Sequence, residues 1–345
     1  MLNKLELLNF RNYKEITAEF SPGVNVIWGG NGQGKTNLLE AVHVLSFTKS
    51  MRARKETDLI NFESDFCVIK GDALEMRFSR TERRVMLKSG VKYPTAREWL
   101  GILPVVLFGP QELNIVRDEP GLRRRFMDMA ICQYRPSYTY ALNVYNRARG
   151  QKSKILREYI EKPSLLDTLP EFSEKMIQSG ELIIKERLSF ISILSERAKA
   201  YHGSISSERE SLGLEYMTKE NLRAEMESIR DKEIRSGVCL AGPHRDDIVI
   251  TINGMDSRAY ASQGQIRTAA LALKLAERDI LAEKLETIPI MLLDDVLSEL
   301  DGKRRDYILN HQEKGQTLIT DCEPARLKSM YIGKTLHVED GKIGY

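Results

Sequence analysis

Cysteine is scarce and scattered in this sequence. Cys67, Cys132, Cys239 and Cys322 are its only four, far apart and without a C-x-x-C pair, so neither a structural zinc site nor a disulfide framework is indicated. Long apolar runs are missing as well. None approaches the ~20 residues of a membrane helix, and the N-terminus alternates charged and apolar residues instead of forming an apolar leader. There is no internal repeat and no low-complexity tract. A net charge of +3 is too small to gather an anionic partner by its overall field, so any nucleic-acid surface has to come from local clusters. A globular protein of a reducing cytoplasm, without a membrane partner, is the expectation these absences leave. With 345 residues, 42% of them hydrophobic, the chain can bury a large core in about two lobes.

What the sequence does contain is organised around Gly29-Gly30-Asn31-Gly32-Gln33-Gly34-Lys35-Thr36, which fits the phosphate-loop pattern G-x-x-x-x-G-K-[ST]. The glycines let successive backbone N–H groups turn inward around phosphates. Lys35 can reach β- and γ-oxygens as a mobile charge, and the Thr36 hydroxyl can ligate Mg²⁺. The context is the required one. Val24-Asn25-Val26-Ile27-Trp28 reads as a buried strand, and Leu38, Val42 and Leu45 recur at helical spacing. A helix starting there turns its N-terminus to the anion.

Before the loop, Leu5 and Leu7, then Ile16, Ala18 and Phe20, alternate as two short strands around Arg11-Asn12-Tyr13. After it, alternation predicts strands at 67–70 and 74–78, and 103–108 reads as the last strand before the chain changes character. From Gly109 the chain turns helical: a helix opened by Pro120, longer ones near 137–160 and 171–202 separated by Pro163 and Pro170, and another over 221–235. The second long helix carries an apolar stripe of Ile177, Ile184, Leu188, Ile191, Leu194 and Ala198, read as packing. Asn253-Gly254 then marks a hairpin between the strand 248–252 and the residues around Tyr260. A long helix over 263–285, carrying Ile266, Ala270, Leu273 and Leu281, and strands at 290–293 and 317–320 follow. The expected fold is α/β: an ATPase lobe from residues 1–108 and 238–345, with an inserted helical lobe over 109–237.

Three later motifs bear on the loop. Pro289-Ile290-Met291-Leu292-Leu293-Asp294-Asp295 is an apolar strand ending in two carboxylates. Asp294 is assigned to the Mg²⁺ shell, and Asp295 to orienting or deprotonating the attacking water. Ser262-Gln263-Gly264-Gln265 reads both as a capping box and as an anion site at a helix start, two compatible readings. The stretch resembles the L-S-G-G-Q signature of ABC-type ATPases, with Ala261 and Gln263 in place of the Leu and the first Gly. Ser298-Glu299-Leu300-Asp301 resembles their D-loop, and Gln111 stands as a counterpart of the Q-loop glutamine. Thr320 occupies the position where ABC transporters carry a switch His, which leaves the γ-phosphate sensor unassigned.

Taken together, the sequence resembles the RecF family of DNA replication and repair proteins over essentially its whole length. The resemblance is carried by Asn9-Phe10-Arg11-Asn12-Tyr13, by Asn31–Glu40, which includes Asn37, by Gly242-Pro243-His244-Arg245-Asp246-Asp247, by Ser262–Thr268 and by Asp294–Asp301. It implies a P-loop ABC-type ATPase head with a mixed sheet, related to SMC-like repair ATPases but without their coiled coils. It also implies an ATP-dependent homodimer, with Arg11, Asn37, Gln111 and a partner's Ser262 joining the loop at the nucleotide. The implied activity is binding of double-stranded and single-stranded DNA, slow DNA-stimulated ATP hydrolysis, and work with RecR and RecO in loading RecA at gaps. Arg52/Arg54/Lys55, Arg123–Arg125 and Lys303/Arg304/Arg305 are candidate phosphate contacts or solvated faces. His244 with Asp246 and Asp247 lacks a second His at ligand spacing, so the loop is read as support for the site or the strand turn and not as a metal centre. The alternatives are a transporter subunit, which would want the switch His and a strict signature, and a binding module with a structural nucleotide.

Overall fold

The computed structural model of the chain describes residues 1–296, 301–310, 315–322 and 332–344. Strands β1 (Lys4–Phe10) and β2 (Tyr13–Glu19) form a hairpin, and β3 (Val24–Trp28) leads through the glycine loop into helix α1 (Lys35–Phe47). The strands β4 (Phe66–Gly71), β5 (Leu74–Ser79), β6 (Val85–Lys88) and β7 (Val91–Lys92) extend the hairpin into an antiparallel sheet ordered β2-β1-β4-β5-β6-β7. Then come β8 (Val105–Phe108) and helices α2 (Pro120–Tyr134), α3 (Pro136–Glu158) and α4 (Leu169–Ser206). Strand β9 (Leu212–Met217), helices α5 (Leu222–Ser228) and α6 (Arg230–Ser236), and the hairpin β10 (Asp247–Ile252) and β11 (Met255–Asp256) follow. Helix α7 (Gln263–Leu285), β12 (Ile290–Asp294), α8 (Gly302–Asn310), β13 (Thr317–Asp321), β14 (Ile332–Glu339) and β15 (Lys342–Gly344) close the chain.

The second six-stranded sheet, β15-β14-β3-β13-β12-β8, is parallel except for its β15 edge. Its strands β3, β8, β12 and β13 are buried on both faces, which is why they read as largely apolar runs. Ile27, Val105, Leu107, Ile290, Leu292 and Leu318 face α1 and the antiparallel sheet in one core. Val24, Val26, Val106, Phe108, Met291, Leu293 and Ile319 face α7 and the helices in the other. Parallel pairing also fixes function. Trp28 lies beside Asp321, Thr320 beside Asp294 and Leu293 beside Phe108, so the residues after β3, β13, β12 and β8 emerge along one sheet edge, where α/β sheets bind ligands.

Four local expectations are corrected. Residues around Tyr260 form no strand: β11 is two residues long, and Asp256 accepts the Arg258 N–H at 2.9 Å to start a helical turn, Ser257–Tyr260. The helix expected over 221–235 is two, broken at Ile229 (φ −100°). The break lets Ile229 pack on the main core while Ile234 joins a small cluster with Ile155, Leu156 and Leu169. In α4 the stripe holds at Ile177, Ile191, Leu194 and Ala198, with Ile184 packed against the core, and fails at one position. Leu188 is exposed, whereas Ile183, Arg187 and Phe190 are buried. A buried Arg187 interrupts the apolar pattern in sequence but not in space, because Asp128 neutralises it at 2.8 Å. Within residues 109–237, β9 pairs antiparallel with β10, a strand the sequence reading did not find.

Candidate functional site

The phosphate loop is shaped by close approach. Gly29 has φ 153°, and a Cβ there would stand 2.2 Å from the Val338 carbonyl oxygen on β14, so only glycine lets the loop leave β3 against its neighbour. Gly34 (φ 119°) precedes the first turn of α1. A side chain there would collide with Asn12 and with Tyr13, whose hydroxyl donates to the Gly34 carbonyl at 2.9 Å. Gln33 accepts the Asp340 N–H at 2.6 Å and gives its carbonyl to Asn12 at 2.9 Å. Gly30, Asn31 and Gly32 lie on the open side of the loop. The buried Lys35 donates to the Gly29 and Gly30 carbonyls at 2.7 and 2.8 Å, curling its ammonium over the cradle.

The acidic strand end meets the loop directly. Thr36 donates its hydroxyl to Asp294 Oδ1 at 2.9 Å, placing two hard oxygen ligands side by side, the donor set Mg²⁺ prefers. Thr320 also donates to Asp294 Oδ1 at 2.9 Å and accepts the Asp295 N–H at 2.9 Å. Thr320 is therefore buried behind the carboxylates and ties them together. The residue of β13's exit that touches the loop is Cys322, against Asn31 Oδ1 at 3.0 Å and Lys35 Nζ at 3.6 Å. Sequence reasoning missed it, since no motif marks it. Asp295 is exposed and adopts a left-handed backbone (φ 52°), turning away from the strand direction that Asp294 follows.

Arg11 and Asn37 flank the loop on the β1–β2 side. Arg11 grips Glu40 through Nε and an Nη at 2.9 and 2.8 Å, and Asn37 donates to Asn12 Oδ1 at 2.7 Å. Arg52 joins them, reaching Asn37 at 2.6 Å and Glu40 at 2.9 Å. Burial alone would raise the Glu40 carboxyl, but Arg11, Ser50 and Arg52 hold it below its ordinary range. Beside these residues opens a cleft of about 650 Å³, walled by Arg11, Asn37, Arg52, Asp58 and the fully exposed Phe62. Of these, Asp58 and Phe62 carried no sequence signal.

Gln111 is exposed on the short helix Pro110–Leu113 that follows β8. The preceding Gly109 lies against Asp294, where a Cβ would be 3.4 Å from the Asp294 carbonyl oxygen. Ser262 caps α7, accepting the Gln265 N–H at 3.3 Å while Gln265 accepts the Ser262 N–H at 2.8 Å. Among the described residues, none of its hydrogen bonds reaches residues 29–37. Ser298, Glu299 and Leu300 lie outside the described residues; Asp301 lies within them and pairs with Arg304. Of the basic clusters, Arg123 is buried on Asp247 at 2.6 Å and is unavailable to a ligand, whereas Arg125 is exposed. His244 shares its ring with Tyr145 and the Cys239 carbonyl, and among the described residues no group of His, Cys, Asp and Glu is arranged to hold a metal ion.

Known proteins resemble this arrangement at the level of the whole chain. A family model described as the RecF/RecN/SMC N terminal domain matches residues 1–98. A "DNA replication and repair protein RecF" from Clostridium kluyveri is 38% identical over 332 residues, covering 92% of this chain and 91% of its own. One of the same description from Acetivibrio thermocellus is 35% identical over the full length of both. A solved "recombination mediator protein RecF-ATP in RecFOR pathway" superposes with a TM-score of 0.91 at 33% identity, covering 99% of this chain and 96% of that one. An Smc head domain from Pyrococcus furiosus, 18% identical at a TM-score of 0.58, shares the fold.

Proposed function

Because this chain belongs to the RecF family of DNA replication and repair proteins, we propose that it is an ATP-driven clamp on DNA, cytoplasmic and without a membrane partner, whose nucleotide site is completed by a second copy. One observation carries the reading. The 2.9 Å bond between Thr36 and Asp294 joins the phosphate loop to the acidic strand end at the single sheet edge where both emerge. Family membership also decides against the transporter subunit that the motifs alone left open.

In this reading the loop N–H groups and the α1 N-terminus hold the ATP phosphates, and Lys35 exchanges two carbonyl acceptors for charged phosphate oxygens, a stronger bond. Thr36 and Asp294 would hold Mg²⁺, which when bound neutralises phosphate charge. The cleft beside Arg11, Asn37 and Arg52 takes the nucleoside end. Asp295, turned out of the strand by its left-handed backbone, holds or deprotonates the attacking water, and Gln111 reaches the site from β8. Ser262 of a second copy faces the γ-phosphate, so that ATP closes a two-fold dimer with two shared sites. Closure forms a basic surface for duplex DNA beside single-stranded gaps. There the protein works with RecR and RecO toward loading RecA, and slow, DNA-stimulated hydrolysis releases it.

Turnover assays with and without duplex DNA test this. Lys35→Met should lose nucleotide binding and DNA retention together. Asp295→Asn should bind ATP and DNA but turn over about a hundredfold more slowly. Undiminished turnover in Asp295→Asn would remove that residue from the mechanism. DNA affinity should fall steeply with added salt, as expected of a phosphate-contacting surface.

A further inference from the structure

A second cavity, of about 450 Å³, includes none of residues 29–37. It lies between the end of α1, with the turn that follows it, and helices α2 and α3. Its wall carries Lys49, Arg124, Arg125, Arg149 and Arg187. Asp128 is the one acid on that wall among the described residues, and its carboxylate is already taken by Arg187 at 2.8 Å and by the Tyr138 hydroxyl. The side chains of Lys49, Arg125 and Arg149 form no ion pair or hydrogen bond among the described residues. Arg124 donates to the Asp246 carbonyl at 2.7 Å; burial and the neighbouring Arg187 together pull its guanidinium below its ordinary range. Three cations without a partner among the described residues, with Arg124 beside them, line one concave wall, concentrate field there and favour an anion.

The cations are held in place by the fold. His43 donates from Nδ1 to the Lys49 carbonyl at 3.0 Å, fixing the turn that carries Lys49. Phe47, Leu100 and Leu142 supply apolar surface beside it. The wall is also rigid. It is built on Gly242-Pro243-His244-Arg245-Asp246-Asp247, the one strong motif that the nucleotide site does not use. Pro243 accepts from Arg187 at 2.7 Å, His244 takes the Tyr145 hydroxyl at 2.6 Å, and Asp247 holds Arg123 at 2.6 Å. Gly242 (φ 119°) admits Tyr145 where a Cβ would stand 2.2 Å from its hydroxyl.

We propose that this cavity is a ligand site separate from the ATP site, taking a free phosphorylated small molecule of about mononucleotide size. The phosphate sits on Arg124, Arg125, Arg149 and Lys49; the body lies against Phe47 and Leu142. The volume is within the range of ligand pockets. The two sites share no residue, so either can fail without the other.

The test is calorimetric titration of full-length Lys35→Met protein, which disables the phosphate loop, with sodium pyrophosphate and with AMP. Saturable binding that weakens about tenfold or more on adding Arg125→Glu and Arg149→Glu is the expected result. Both positions reach solvent, and unchanged thermal unfolding confirms that the variant folds. Asn146→Asp, which adds one negative charge on an exposed part of the wall, should weaken binding by a smaller factor. Absence of binding to the Lys35→Met protein, or equal affinity after charge reversal, overturns the site. So does binding of a single-stranded oligonucleotide through these arginines while pyrophosphate and AMP stay unbound, which would make the wall a nucleic-acid contact.

Discussion

Glu40 shows how the arginines beside the proposed nucleotide site are held by a buried residue behind them. Its side chain is fully buried, one turn into the helix that the phosphate loop opens, and it takes Arg11, Arg52 and the Ser50 hydroxyl together. Those bonds set the arginines along the cleft proposed for the nucleoside. Removing one partner of such a network leaves the others uncompensated. Arg11 and Arg52 retain some access to water, 22% and 36% of their side-chain surface, so the penalty is moderated by solvent. Glu40→Ala is expected to cost about 2–3 kcal/mol and to weaken ATP binding, read together by urea unfolding and by titration with nucleotide. Arg52→Ala should lower stability less, because it leaves the Arg11–Glu40 pair intact. Equal stability of Glu40→Ala and the parent would show that the network is ornamental. Gly29 is the backbone counterpart: its neighbour is the Val338 carbonyl at 2.2 Å from a would-be Cβ, and backbone on a central strand cannot step aside.

At the scale of elements, the loop before β10 fastens α2, α3 and α4 to one another, and its imidazole is held neutral. Burial, helped by Arg149, lowers His244 from 6.5 to about 4; burial also lowers His43 to about 4 and lowers His202. Between those values the unfolded chain takes up protons that the folded chain refuses. Stability is therefore complete above about pH 6.5 and is lost as pH falls toward 4, by about 3 kcal/mol for a group shifted as far as His244. Urea unfolding at pH 7 and pH 5 should show the loss, and His244→Asn should flatten it; an identical slope would place the effect elsewhere. The same elements show what could be read from the sequence. The glycine loop, the Asp294-Asp295 strand end and the cap at Ser262 are local patterns, legible because each residue acts on near neighbours. Arg187, by contrast, is explained by Asp128, 59 positions away, and β9 by its pairing with β10 more than thirty residues on. Cys322 reaches the loop only because β13 lies beside β3. Such facts belong to the assembled sheet and helices, and no window of sequence holds them.

For the whole molecule, the decisive question is whether one chain makes a complete site. The parallel sheet gathers the loop, Asp294, Asp295 and the β8 exit on one edge, but Ser262 sits at the start of α7 with its hydrogen bonds spent on its own helix. Its exposure leaves the hydroxyl and the first N–H groups of α7 open to a second copy. A two-fold arrangement would then bring each Ser262 to the other chain's loop and make two equivalent sites at once. Ser262→Ala removes only the cap, worth about 1 kcal/mol, and should leave a dimer of reduced stability. Ser262→Arg places a bulky charge at the proposed interface and should leave ATP binding by the monomer intact while abolishing association. Light scattering with and without ATP distinguishes these outcomes. The parent should double its mass with ATP, Ser262→Ala should do so at higher protein concentration, and Ser262→Arg should not. If Ser262→Arg dimerises like the parent, the shared site is wrong and each chain must hold its nucleotide alone.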